Sequence, residues 1–269
     1  MAVYFGREEE WKYFAEEHEA LLEALTGEHK ACIELLKAVQ MKRKSQEDTV
    51  ILALGMACLK EFEEIILLCG NGYGSGANKI LGAFFERVIA LGYLAKHPDK
   101  IQQFIDYTNV HWQKLLIEAR EKHEDVGLSA EEIAHVEEEF ANVKERYMVD
   151  ACRKCGTHRL QGSWTKKPIP SMAEDLDGDM RKLYFNAFLR PTFLIHTTFF
   201  GVMAGAEKTE HERLLLFSQE KERLRAKETI DLAHILVIQA AITLNVFYNL
   251  EADSVLEGLG KELDRLNGK

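Results

Sequence analysis

Turn-forming residues are scarce in this sequence. Four prolines and 18 glycines punctuate 269 residues, too few for a chain of many short strands and reversals, so long helices are expected. Cysteine is sparse and odd in number, five residues without regular spacing. That excludes a disulfide-stapled secreted scaffold and predicts free thiols, with Cys32, Cys58 and Cys69 in helices. Basic residues are outnumbered, 34 against 44 acidic, for a net charge of −10. Such an average excludes a general nucleic-acid binder, although it can hide a local patch. Long hydrophobic runs are missing too. The most apolar segment, HILVIQAAITLNVFY, has 15 residues including Gln239 and Asn245, which predicts a buried helix and no membrane span. The opening MAVYFGREEEWKYF lacks the basic and apolar regions of a signal peptide, so a cytoplasmic location is expected.

What is present is apolar periodicity. Trp11, Phe14, His18, Leu21, Leu25, His29, Cys32, Leu36 and Val39 recur every three or four residues, which predicts a helix over 7–43 with a kink at Gly27. A second helix is expected over 47–69, ending at the breaker GNGYGSG. A third, ANKILGAFFERVIALGYLAKH, is apolar nearly all round between Ile80 and Ala95 and so should be buried on every side. After HPDK another helix runs to about Lys122, and Ser129 with Glu132 forms the S-x-x-E capping box of the next. The stretch from 151 to 173 has glycines, prolines and no helical period, and reads as a long loop. MAEDL is a short helical turn; DMRKLYFNAFLRPTFLIHTTFFGVMAG predicts an apolar helix bent at Pro191. Helices over 206–250 and 253–267 complete the chain, and no segment alternates with the period of a strand. The expected fold class is all-α, a single multi-helix bundle of about six to nine helices with one long basic loop. The domain is 1–269, with an optional division into helical halves 1–150 and 174–269 joined by 151–173.

Three of these buried-looking helices carry polar residues: Glu86 and Arg87, Arg190 and His196, Asp231 and His234. Burial of such groups is costly unless they are paired. Either they pair with one another inside the bundle, or they converge on a pocket. The 151–173 stretch adds Arg153, Lys154, Arg159, Lys166 and Lys167 with no acid among them, and Trp164 between. A basic loop with an aromatic suits phosphate or single-stranded nucleic acid, or else docks on acidic helices.

The segment GSWTKKPIPSMAEDLDGDMRKLYFNAFLRPTFLIH resembles the signature region of a bacterial all-helical family of unknown function. The matching positions are Trp164, Met172, Ala173, Glu174, Tyr184 and His196, with Glu86 in a similar central helix. The resemblance covers residues 50 to 200 and implies the fold but no activity. More distantly, Arg190 and His196, with five residues between them, resemble the R-x4–6-H pair of HEPN domains, many of them metal-independent ribonucleases. That resemblance implies His196 as general acid or base and Arg190 stabilising phosphorane charge; packing of Glu86 against His196 would let it orient the histidine. It departs from the pattern at Pro191, where a polar residue is usual. Six helical residues also turn about 240°, so a bend or a dimer contact must bring the pair together.

Other motifs are weaker. Cys152, Cys155 and His158 are half of a zinc site with no second half. Glu132 and His135 form one E-x-x-H where a di-metal bundle needs two and further glutamates. GNGYGSGANK follows a helix and lacks G-K-[ST], so it is no phosphate loop, although the helix start after Gly76 can attract an anion. The sequence therefore predicts a helical bundle binding a protein or ligand partner without catalysis. The alternatives are a ribonuclease using Arg190, His196 and Glu86, with RNA along Arg153, Lys154, Arg159, Trp164, Lys166 and Lys167, and then a metal-binding bundle. A homodimer is compatible with all three, and no membrane, cofactor or metal is called for.

Overall fold

The computed structural model describes residues 6–152, 157–176, 178–196, 199–203, 206–208, 214–215 and 218–266. The chain is all-α, as the scarcity of proline and glycine predicts. Helices α1 (Glu8–Glu17), α2 (Glu19–Lys42), α3 (Gln46–Gly70) and α4 (Gly74–Lys96) are followed by α5 (Ile101–Lys122) and α6 (Ala130–Tyr147). A hairpin of β1 (Met148–Cys152) and β2 (Thr157–Leu160) leads to α7 (Ile169–Leu176), α8 (Gly178–Tyr184), α9 (Arg190–Ile195) and α10 (Phe199–Met203). Two short antiparallel strands, β3 (Glu207–Lys208) and β4 (Leu214–Leu215), precede α11 (Gln219–Tyr248) and α12 (Asp253–Leu266). Packing divides the chain into two compact units: Met1–Lys96 with Ile169–Lys269, and His97–Pro168.

In the larger unit α3, α4 and α11 pack against one another, with α2, α7 and α9 around them. Phe62, Ile65, Leu81, Phe84, Phe85, Ile89, Leu94, Ile230, Ala233 and Leu236 are sealed from solvent. The near-continuous apolar surface of α4 has this cause: α3, α11, α7, α9 and the turn before α9 all pack on it. The expected irregularity at Gly27 is not a break in the helix. The helix breaks at His18 instead (φ −127°, ψ 31°), and α2 runs unbroken through Gly27. The irregularity expected at Pro191 sits just before it, as a π-helical turn over Phe185–Leu189. Pro191 cannot donate to the carbonyl of Ala187, four residues back, and the wider turn accommodates its ring.

The helix expected from 206 begins only at Gln219, where the Ser218 hydroxyl accepts from the Lys221 amide. The strands β3 and β4 occupy part of the preceding stretch. Helix α11 has 30 residues and includes a window apolar enough to cross a bilayer by length and composition, longer than the 15-residue segment read from the sequence. Of that window 56% is buried inside the protein, as in a core helix. Cys32, Cys58 and Cys69 are free and buried, and burial pushes the Cys32 and Cys58 thiols up to about 12.

The smaller unit pairs α5 with α6. Its core is Tyr107, Val110, Val143 and Tyr147, flanked by Phe140, Leu160 and Trp164. The capping box forms as the sequence predicts: the Glu132 amide donates to the Ser129 hydroxyl, and the Ser129 amide donates to the Glu132 carboxylate. The 151–173 segment is only partly loop. It contains the ends of the hairpin, whose register pairs Met148 with Leu160 and Asp150 with His158, and the start of α7.

Candidate functional site

The polar residues of the buried-looking helices find partners mostly on other helices, and not in one another. Arg87 of α4 pairs with Glu61 of α3. Arg190 lies 3.6 Å from Glu228 of α11, both half-exposed. Asp231 pairs with Lys227 at 2.9 Å on its own helix. His234 of α11 meets Glu28 of α2, Nδ1 to Oε2 at 2.7 Å, with both side chains sealed from water. The contact is short but lacks good hydrogen-bond alignment, and Glu28 Oε1 and His234 Nε2 have no hydrogen-bond partner. Burial raises the Glu28 carboxyl above the ordinary glutamate value, and the attraction of His234 opposes the rise.

His196 is one exception. It ends α9 in extended backbone, is exposed, and has no ion-pair partner among the described residues. It lines a groove of about 720 Å³ in the larger unit. Arg190 and Glu86 are not among the lining residues. Glu86 is exposed on α4, where partial desolvation raises its carboxyl above the ordinary value. Arg190 is thus held by Glu228, whereas His196 faces a groove.

The groove is built where α3 ends, α4 begins and α11 begins, with α9 and α10 along one side. Gly72 reverses the chain between α3 and α4 with a positive φ of 72°, which a side chain would strain. Gly74 allows the start of α4 to touch α11: a Cβ there would lie 2.1 Å from the Glu222 backbone oxygen. That approach puts the Glu222 carboxylate on the helix start. It accepts from the Ser75 amide at 2.8 Å and from the Ser75 hydroxyl, and Arg225 also reaches Ser75. The anion slot of the GNGYGSGANK stretch is thus filled by the protein's own carboxylate.

Arg7 is engaged as well. It donates to Gln219 at 2.8 Å and sits 5.7 Å from the Tyr73 ring centroid. Lys79, exposed one turn into α4, has no acidic partner among the described residues. The apolar part of the lining is Leu68, Tyr73, Leu194, Ile195 and Val202. Beyond it Phe193 and Phe199 are 46% and 82% exposed, so apolar surface continues outside the groove. The result is an open apolar trough with two nitrogen groups, Lys79 and His196, available to an acid. Lys79 ends the glycine-rich stretch GNGYGSGANK, and nothing in the sequence pairs it with His196.

Of the basic-segment residues, Arg153 and Lys154 lie outside the described residues, as does Cys155. The side chains of Cys152 and His158 do so too. Arg159 and Lys166 are exposed. Trp164 is partly buried, edge-on to Phe104 at 5.2 Å, and its carbonyl accepts from Gln103 at 2.9 Å. Among the described residues no group of three or more His, Cys, Asp or Glu side chains could hold a metal ion.

Neither a curated protein nor a solved structure matches this chain. The model of a family of unknown function, DUF5677, does match it, over residues 48–212. Those residues span α3 to the start of the segment before α11, including α4, α9 and His196, and the chain belongs to that family.

Proposed function

We propose that the protein is a ligand-binding helical bundle without catalysis of its own, and that its ligand is an amphiphile with an apolar body and an acidic head. The observation that carries this reading is the trough at the start of α4, where Leu68, Leu194, Ile195 and Val202 line a volume suited to a small molecule and Lys79 and His196 have no acidic partner among the described residues. Glu222 does not oppose an acidic head, because the Ser75 amide and Arg225 already neutralise it. A reducing, cytoplasmic setting fits the three buried free thiols.

Gly76 provides the test. A Cβ at this position would make only ordinary contacts with Leu68 and Tyr73, the nearest at 3.7 Å, so a larger side chain is accommodated by the backbone and projects among the lining residues. Dodecanoate titrated into wild type should bind with one-to-one stoichiometry, and Gly76→Leu should weaken it by about tenfold through lost apolar area. Unchanged binding in a folded Gly76→Leu variant would move the site elsewhere.

One observation favours a second reading. His196 is solvent-accessible at a groove, as a ribonuclease base must be. That reading requires Arg190 to leave Glu228 and act with His196, with RNA on the basic segment. Cleavage of mixed RNA that survives chelator and disappears in both Arg190→Ala and His196→Ala would establish it.

A further inference from the structure

The larger unit has a second apolar depression, and acids border it. Two hollows, of about 480 Å³ and 370 Å³, share Leu22 and Thr26 and so form one cleft along α2 from Glu19 to His29. That span is about ten helical rises, roughly 15 Å. None of the residues lining the cleft lines the trough. Its floor is Leu22 and Leu25 of α2 with Ile66 and Leu67 of α3. Leu25 is buried, whereas Leu67 keeps 57% of its surface exposed. His29 meets Glu63, Nε2 to Oε1 at 2.6 Å, and so ties α2 to α3 at one end of the cleft.

The charge around the cleft is one-sided. Glu19, Glu23 and Glu63 line it, and among the described residues no lysine or arginine does. Glu63 is engaged by His29, but Glu19 and Glu23 are exposed and have no cationic partner among the described residues. They stand one turn apart on α2, where like charges repel. Beside Ala15, which lines the same end, α1 finishes with Glu16 and Glu17, both exposed, and its last turn holds no basic residue. The carbonyls of a helix C-terminus already carry negative partial charge, so acids there are unfavourable. Each of these arrangements costs the free protein stability and is relieved by cations that arrive from outside.

We infer that the cleft is an interaction surface for a basic amphipathic helix of a partner protein. Apolar side chains on one face of such a helix reach the leucine and isoleucine floor, and lysines or arginines flanking that face meet Glu19 and Glu23. The cleft is bordered by α1, α2 and α3, so an extended peptide would find no strand edge to pair with, whereas about three helical turns fill its length.

The probe is a fluorescein-labelled peptide of about 18 residues, with leucine and lysine placed so that the leucines share one helical face. Its controls are a scrambled peptide of the same composition and a leucine–glutamate helix. Fluorescence anisotropy on the full chain should show one-to-one binding of the leucine–lysine helix, at least about tenfold tighter than either control. Glu19→Gln with Glu23→Gln should weaken it by about fivefold or more, and Leu67→Ser by a similar factor. Glu138→Gln with Glu145→Gln removes the same charge from exposed positions of α6 in the smaller unit and should leave binding unchanged. Thermal melts establish that the variants fold. Equal binding of a control peptide, or an equal loss in the α6 variant, would overturn the inference. So would absence of binding, the result if this chain's own residues fill the cleft, and so would self-association of wild type that Leu67→Ser abolishes, because the occupant would then be a second copy.

Discussion

At the scale of single residues, the most consequential pair is one that the sequence did not join. His234 was visible as a polar residue in an apolar helix, but its partner Glu28 lies on another helix 206 positions away and looked like one more acid of an amphipathic face. Periodicity reports which face of a helix is buried; it does not report which buried polar group meets which. Removing one member strands the other in the core. His234→Leu alone or Glu28→Leu alone should cost about 3 kcal/mol in urea unfolding, whereas the double replacement should cost less than either single change. A double variant as unstable as the sum of the singles would show that the two do not interact. The pH dependence has a fixed sign. Burial raises the Glu28 carboxyl, so the native state holds this proton more tightly than the unfolded chain. The contribution of Glu28 to stability should therefore fall as pH rises from the ordinary glutamate value through the raised native one, and level off above it. Urea midpoints across that range should show this decline in wild type and lose it in Glu28→Gln; a rise would contradict the assignment.

At the scale of elements, the positions of α3 to α6 were legible because apolar spacing, caps and breakers agreed. Ser129 with Glu132 marked the start of α6, and the structure forms the capping box. Positions set by tertiary contact were not legible. His18 breaks the first helix although it lies on the apolar stripe, and the π-helical turn before Pro191 depends on how the chain accommodates a proline within a packed helix. The glycine-rich link before α4 reads as a helix breaker, but the reason for Gly74 lies on α11. Gly74→Ala would drive a Cβ into the Glu222 backbone oxygen at 2.1 Å, and the two helices would have to separate. The expected loss is roughly 2 kcal/mol or more. Gly76→Ala, two residues on, should be neutral or stabilising by up to about 1 kcal/mol, since alanine favours the helix and meets no obstacle. Thermal melts of the two variants distinguish this account from one in which both glycines serve only flexibility.

At the scale of the whole molecule, composition correctly indicated an all-α chain, and the residues on which the family resemblance rests, Glu86 to His196, lie within the matched region 48–212. The candidate site was only half legible. His196 stood out as a histidine in an apolar run. The trough itself arises from helix ends and loops far apart in sequence, which no local pattern encodes. Lys79 and His196 are 117 positions apart, and neither has a motif that points to the other.

The central claim is that the trough recognises an acidic head on an apolar body. The most direct test compares dodecanoate with dodecyltrimethylammonium, which carries the same chain and the opposite head charge, by calorimetry on wild type and on Lys79→Glu. Wild type should prefer the carboxylate by about tenfold or more, and Lys79→Glu should abolish or reverse that preference while still accepting the chain. Equal binding of the two heads by both proteins, or binding of neither, would contradict the account.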